Sequence, residues 1–155
     1  MFLVKLSLGV ACIYLCSKIA ISKANTLKES YLFWESAVSL CNQLLMEFSY
    51  KKRPIKIASS IQYSSNDFKS VVNAFINGSE IEFPTYLSKL EILKVKSFLS
   101  ELGKSDSNTQ KMALNSYKSD FESVLVDKKL QYKKTYSVTL KVGFSVGVMM
   151  LIMVI

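Results

Sequence analysis

Residues 25–48, NTLKESYLFWESAVSLCNQLLMEF, decide the fold. Leu27, Tyr31, Trp34, Val38, Cys41, Leu45 and Phe48 recur at spacings of four and three, so on a helix they fall along one narrow seam. That is the pattern of a helix packed in a hairpin or bundle, and it places Cys41 in a core rather than at a reactive site. Lys51-Lys52-Arg53 closes the segment, where basic side chains suit the negative end of a helix. Pro54 then suits the first turn of the next one.

Downstream, two short helices are expected at residues 54–63 and 67–76, separated by Ser64-Ser65-Asn66. Asn77-Gly78-Ser79 is a stop signal, with Gly78 available for a left-handed cap. Pro84 is expected to open another helix, with Ile92, Val95, Leu99 and Leu102 on one face and Gly103 at its end. Ser107 and Gln110 form a Ser-x-x-Gln capping box for a long last helix, with Asp106 as the competing cap. That helix carries Leu114, Tyr117, Phe121 and Val124 at the same three- and four-residue spacing. No strand alternation competes. The expected fold class is all-α, a helical bundle of about five to six helices lying between an N-terminal and a C-terminal transmembrane helix.

The flanking spans are read from the two ends. Residues 2–21, FLVKLSLGVACIYLCSKIAI, are apolar apart from Lys5, Lys18 and a few small residues. About 20 helical residues span roughly 30 Å, the depth of a bilayer core. A cleaved signal peptide is the alternative, since Ser22-Lys23-Ala24 offers a small-x-small site, although Lys18 and Lys23 crowd it. A lipoprotein signal fits less well, because Gly9 stands where a branched apolar residue belongs ahead of Cys12. The other end, VGFSVGVMMLIMVI at residues 142–155, reaches spanning length when residues 136–141 are included, with Tyr136 at headgroup level. Gly143 and Gly147 form one Gly-x-x-x-Gly, which lets a neighbouring transmembrane helix approach closely. The expected organisation is an anchor at residues 1–22, a cytoplasmic bundle at 23–135 and a second anchor at 136–155. Lys23, Lys28, Lys128, Lys129, Lys133 and Lys134 lie between the spans and close to them, so the positive-inside rule places the middle in the cytoplasm and both termini outside.

Composition narrows the chemistry. The chain has 155 residues, half of them apolar, with no histidine and only five glycines. Histidine triads, histidine metal ligands and most phosphate-cradling loops are therefore absent. The three cysteines give neither a disulfide framework nor a Cys-x-x-Cys zinc site. The net charge is +8, yet nineteen of the twenty basic residues are lysine, which fits solvated faces better than nucleic-acid contacts built on arginine. Glu80 and Glu82, like Asp120 and Glu122, are two apart and diverge on a helix, so no paired-carboxylate site forms. These features point away from an enzyme, a cofactor, a small-molecule substrate or a nucleic-acid partner.

Three sets of residues stand out from this background: Glu47, Tyr50, Pro54 and Ile55; then Leu102, Gly103, Asp106 and Gln110; then Gly143 and Gly147. In this order and at this length they resemble the stage III sporulation protein AB family of endospore formers. That family shows Glu-x-x-Tyr-x-x-x-Pro followed by an aliphatic residue. It also shows Leu-Gly-x-x-Asp-x-x-x-Gln before the last long helix, and it ends on a glycine-bearing hydrophobic tail.

The resemblance implies a role in the channel apparatus between mother cell and forespore. Its soluble part would be similar to the all-helical cytoplasmic domains of type II secretion and type IV pilus platform proteins. The implied function is a non-catalytic membrane platform or adaptor in the mother-cell membrane facing the forespore. Its implied partners are a cytoplasmic secretion-type ATPase, stage III sporulation protein AA, other membrane proteins of the complex, and lipid. Glu47, Tyr50, Pro54, Lys104, Ser105 and Asp106 are the implied partner contacts, with Gly143 and Gly147 in membrane helix packing. The alternative is a membrane-tethered platform or interaction subunit of a pilus- or secretion-like machine outside sporulation. A processed extracellular helical protein would require cleavage of the first segment.

Overall fold

The computed structural model describes residues 2–47, 58, 60–102 and 107–154. Of the side chains between residues 2 and 20 it describes only those of Tyr14 and Lys18, and in residues 139–154 only some. Four helices and no strand are found among the described residues: α1 (Phe2–Glu47), α2 (Asn66–Asn77), α3 (Lys89–Glu101) and α4 (Ser107–Val154). The all-α expectation holds.

Some boundaries among the described residues differ from expectation. Residues 10–53 and 107–142 contain neither glycine nor proline, so nothing breaks the helix where an anchor was expected to give way to the bundle. The result is one helix of 46 residues and another of 48. Most of the helix expected at 54–63 lies outside the described residues; Ala58 and Ser60 within it are helical, and Ile61–Tyr63 at its end are not. Pro84 does not open a helix. Its carbonyl accepts from the Leu87 N–H at 3.2 Å in a turn, and α3 starts at Lys89. The spans expected at 2–21 and 136–155 rest largely on side chains outside the described residues. Among the described residues, no helix is long and apolar enough to cross a membrane.

The chain forms two compact units, Glu29–Lys128 and Met1–Lys28 with Lys129–Ile155. In the Glu29–Lys128 unit, α1 is buried on a broader face than its seam suggested. Phe33, Ala37, Leu40 and Leu44 are buried beside Trp34, Val38 and Cys41. Consecutive residues on a helix point about 100° apart, so Phe33 and Trp34 serve two different contacts. Phe33 meets Phe68 of α2 edge-on at 5.0 Å, and Phe68 in turn meets Tyr63 at 5.3 Å. Trp34 meets Phe121 of α4 at 5.3 Å, and Phe121 meets Phe98 of α3 at 5.3 Å. α1 therefore packs against both α2 and α4, and α3 joins the core through Phe121 of α4. Cys41 lies in this core, and burial pushes its thiol up to about 12, far from nucleophilic at neutral pH.

Local signals set the ends of α2 and α3. Ser65 caps α2, its Oγ accepting from the Phe68 N–H at 3.3 Å. Gly78 closes α2 at φ 67°, and the N–H groups of Gly78 and Ser79 reach the carbonyls of Phe75 and Ala74. A Cβ on Gly78 would meet nothing within 4 Å, so only the backbone opposes a side chain there. Gly78→Ala is accordingly expected to cost about 1 kcal/mol, visible as a lowered melting temperature. An unchanged melt would mean that the left-handed cap is not maintained in solution. α3 begins with a capping box: Ser88 Oγ accepts from the Glu91 N–H, and the Glu91 carboxylate accepts from the Ser88 N–H at 2.7 Å. α3 then pairs antiparallel with α4, as Phe98 meets Tyr117 and Phe121 while Glu91 reaches Lys128.

Candidate functional site

The corner between α3 and α4 is the first candidate surface. α3 ends at Glu101 with Leu102 as its cap, and the Leu102 N–H donates to the Leu99 carbonyl at 3.2 Å. Gln110, nearly buried in the first turn of α4, donates its side-chain N–H to the Glu101 carbonyl at 3.5 Å. This amide ties α4 to the open carbonyl end of α3, while the Ser107 side chain, its expected partner in a capping box, lies outside the described residues. Tyr117 stands beside the same corner. Burial, followed by a hydrogen bond to the Glu101 carboxylate, pushes its hydroxyl up to about 12. Phe98, Leu102, Gln110, Leu114 and Tyr117 leave a recess of only about 10 Å³ between them, so the corner is filled by its own side chains. Gly103, Lys104, Ser105 and Asp106, which follow α3 and precede α4 in sequence, lie outside the described residues.

A second surface lies in the connection between α2 and α3, a stretch in which the sequence offered no pattern. Asp67, Ser70, Glu82, Phe83, Pro84 and Tyr86 line an open groove of about 350 Å³. Tyr86 donates to Asp67 Oδ2 at 2.7 Å, and its ring rests 6.4 Å from Phe33. Burial, and then that hydrogen bond, raises the Tyr86 hydroxyl well above the tyrosine range, so it stays a donor. The groove carries two carboxylates, and the Lys96 ammonium sits 5.5 Å over the ring of Phe83 in its lining. Among the described residues, no group of three or more His, Cys, Asp or Glu is placed to hold a metal ion.

One ion pair, missed from the sequence, locks the far end of the α3–α4 pair. Lys128 Nζ lies 2.9 Å from Glu91 Oε1, both side chains being largely buried. Burial pushes the Glu91 carboxyl up, but the Lys128 ammonium and the Ser88 N–H and hydroxyl outweigh it and hold it below the usual 4.5. A depressed carboxyl stabilises the fold above its unfolded value and loses that contribution as pH falls through the lower folded value. Glu91→Gln is therefore expected to flatten the acid side of a melting-temperature-versus-pH curve while leaving its shape above neutrality intact. An acid limb as steep as that of the wild type would refute the pairing. The Ser88-x-x-Glu91 spacing was the signal that would have located this residue.

The remaining sequence candidates are dispersed. Glu47 is the last residue of α1 and is half-buried, while Tyr50 and Pro54 lie outside the described residues. Gly143 and Gly147 are both within α4, one turn apart and hence on one face of it. The structure thus brings together Gln110, Leu102 and Tyr117 at the α3–α4 corner.

The family model described as stage III sporulation protein AB matches residues 57–155. The match takes in α2, α3, the α3–α4 corner and α4 with both of its glycines, and it begins after Glu47, Tyr50, Pro54 and Ile55. No curated protein and no solved structure matches the chain.

Proposed function

The chain belongs to the stage III sporulation protein AB family, and from that premise we propose that it is a non-catalytic membrane platform of endospore formation. In this reading it couples a cytoplasmic secretion-type ATPase, stage III sporulation protein AA, to the assembly joining mother cell and forespore. The observation that carries the reading is the reach of the family match, which takes in three of the four helices and the apolar tail as one family unit. Supporting it, the Glu29–Lys128 unit closes on an aromatic core and offers surfaces, a packed corner and an open groove, of the kind an adaptor uses. The apolar ends at 2–21 and 136–155 act as anchors in the mother-cell membrane facing the forespore. The bundle at 23–135 then lies in the cytoplasm, with both termini outside. Lys104, Ser105 and Asp106, between α3 and α4 in sequence, and Glu47, Tyr50 and Pro54, at and after the last residue of α1, contact the ATPase or neighbouring subunits. Gly143 and Gly147 pack against another membrane helix.

The test uses the full chain in an endospore-forming host whose own copy is deleted. Lys104→Glu with Asp106→Ala is expected to abolish capture of the ATPase and to lower spore yield by at least about tenfold at an unchanged melting temperature. Capture and yield that decline only in step with stability would reduce the turn to a helix cap. Normal spore yield from the deletion itself would remove the platform role altogether.

A further inference from the structure

Charge divides between the two compact units in a way that composition alone conceals. The unit formed by Met1–Lys28 and Lys129–Ile155 contains eight lysines and not one Asp or Glu. The Glu29–Lys128 unit contains the other twelve basic residues and all twelve acidic ones. The entire net charge of +8 therefore resides in the unit that also holds both apolar ends.

The lysines of that unit are placed for a surface ligand. Lys18, Lys23, Lys28, Lys133, Lys134 and Lys141 are all exposed. At 1.5 Å per helical residue, Lys23 lies about 3 Å beyond the apolar run that ends at Ile21, and Lys28 about 10 Å. Lys134 and Lys133 lie about 3–5 Å before the anchor that starts at Tyr136. A headgroup layer is about 5–8 Å deep, so Lys23, Lys133 and Lys134 lie within it and Lys28 at its outer edge. Tyrosines accompany them: the Lys18 ammonium sits 5.5 Å over the Tyr14 ring, and Tyr132 and Tyr136 lie 6.0 Å apart. Lysine with tyrosine suits the interface between hydrocarbon and phosphate. None of the eight is arginine, which nucleic-acid grooves favour for bidentate contacts.

We propose that this unit selects anionic phospholipids, gathering their phosphate headgroups against Lys23, Lys28, Lys133 and Lys134, so that the chain sits in a lipid shell richer in negative charge than the surrounding bilayer. The proposal rests on the membrane reading given under Proposed function and adds to it the class of lipid.

The full chain is reconstituted into phosphatidylcholine vesicles containing about one quarter phosphatidylglycerol, and the lipid shell is then excised in polymer-bounded discs and quantified. About twofold enrichment of phosphatidylglycerol over the vesicle composition is expected. The enrichment should vanish when Lys23, Lys28, Lys133 and Lys134 are all changed to Gln and persist when all four are changed to Arg, with helix content unchanged in both variants. Wild-type discs at the bulk ratio would overturn lipid selection. If the chain in that case still floats with pure phosphatidylcholine vesicles and resists alkaline extraction, the membrane reading stands and only the selection is wrong. A chain that floats with neither vesicle overturns both. Enrichment erased by millimolar inorganic phosphate would assign the lysines to free phosphate instead. RNA binding at physiological salt that the Gln variant loses, with its lipid ratio unaltered, would assign them to nucleic acid.

Discussion

Phe121→Ala is expected to remove about 3–5 kcal/mol from the stability of the Glu29–Lys128 unit. Phe121 is fully buried, and its ring touches three partners: Trp34 at 5.3 Å, Phe98 at 5.3 Å and Tyr117 at 6.0 Å. Those partners come from α1, α3 and α4, so the truncation opens a cavity where three helices converge rather than at an edge that can collapse. Beyond the lost transfer energy, the edge-on pair with Phe98 contributes roughly 0.5–1.5 kcal/mol. In a unit of this size, a loss of that order lowers Tm by more than about 12 °C. Trp34, the only tryptophan, is itself fully buried against Phe121, so its emission reports the packing directly. Far-ultraviolet dichroism followed in parallel separates a local change in the probe from loss of helix. A melting temperature within about 3 °C of the wild type would show that the three helices do not converge on Phe121.

Ser36→Ala should cost about 1–3 kcal/mol, an unusual loss for deleting one hydroxyl. Ser36 is fully buried on α1; its Oγ donates to the Leu32 carbonyl at 2.9 Å and accepts from the Ser65 N–H at 3.0 Å. Ser65 is also buried, so removing the Ser36 oxygen strands a backbone donor away from water at the point where α2 begins. The expected signature is local as well as global: amide exchange at Ser65 and Phe68 accelerates before that of α3. Ser119→Ala, on the exposed side of α4, is the control and should stay within about 0.5 kcal/mol of the wild type. If Ser36→Ala behaves like this control, the Ser36–Ser65 bridge is not formed in solution.

How far the sequence was legible can be followed residue by residue. Trp34, Val38 and Cys41 were assigned to the seam from spacing and are buried; so were Val95, Leu99, Leu114 and Phe121 on the later helices. Gly78 was read as a left-handed cap and has φ 67°. These features depend on a residue and its neighbours within a turn or two, which is the range over which helical periodicity and capping act. Phe33, Ala37, Leu40 and Leu44 were not read as core, because a seam search finds one contact face and α1 has two. Pro84 was misplaced for the opposite reason: proline suits a helix start, but Ser88 and Glu91 four residues later formed the stronger one.

The order of helices, the all-α class and the family resemblance were therefore properties of the sequence by itself, since each rests on local pattern. What only the tertiary structure decided are the pairings of residues far apart along the chain. Ser36 with Ser65, Gln110 with Glu101, Tyr86 with Asp67 and Glu91 with Lys128 each join groups that no local rule relates. The separation of charge is of the same kind. Lysines at 5–28 and 129–141 belong to one unit only because the two ends of the chain pack together, which leaves their unit without a carboxylate and the other unit neutral. Composition sums charge over the chain, whereas the field that a lipid or protein partner meets is set by which charges the fold makes neighbours.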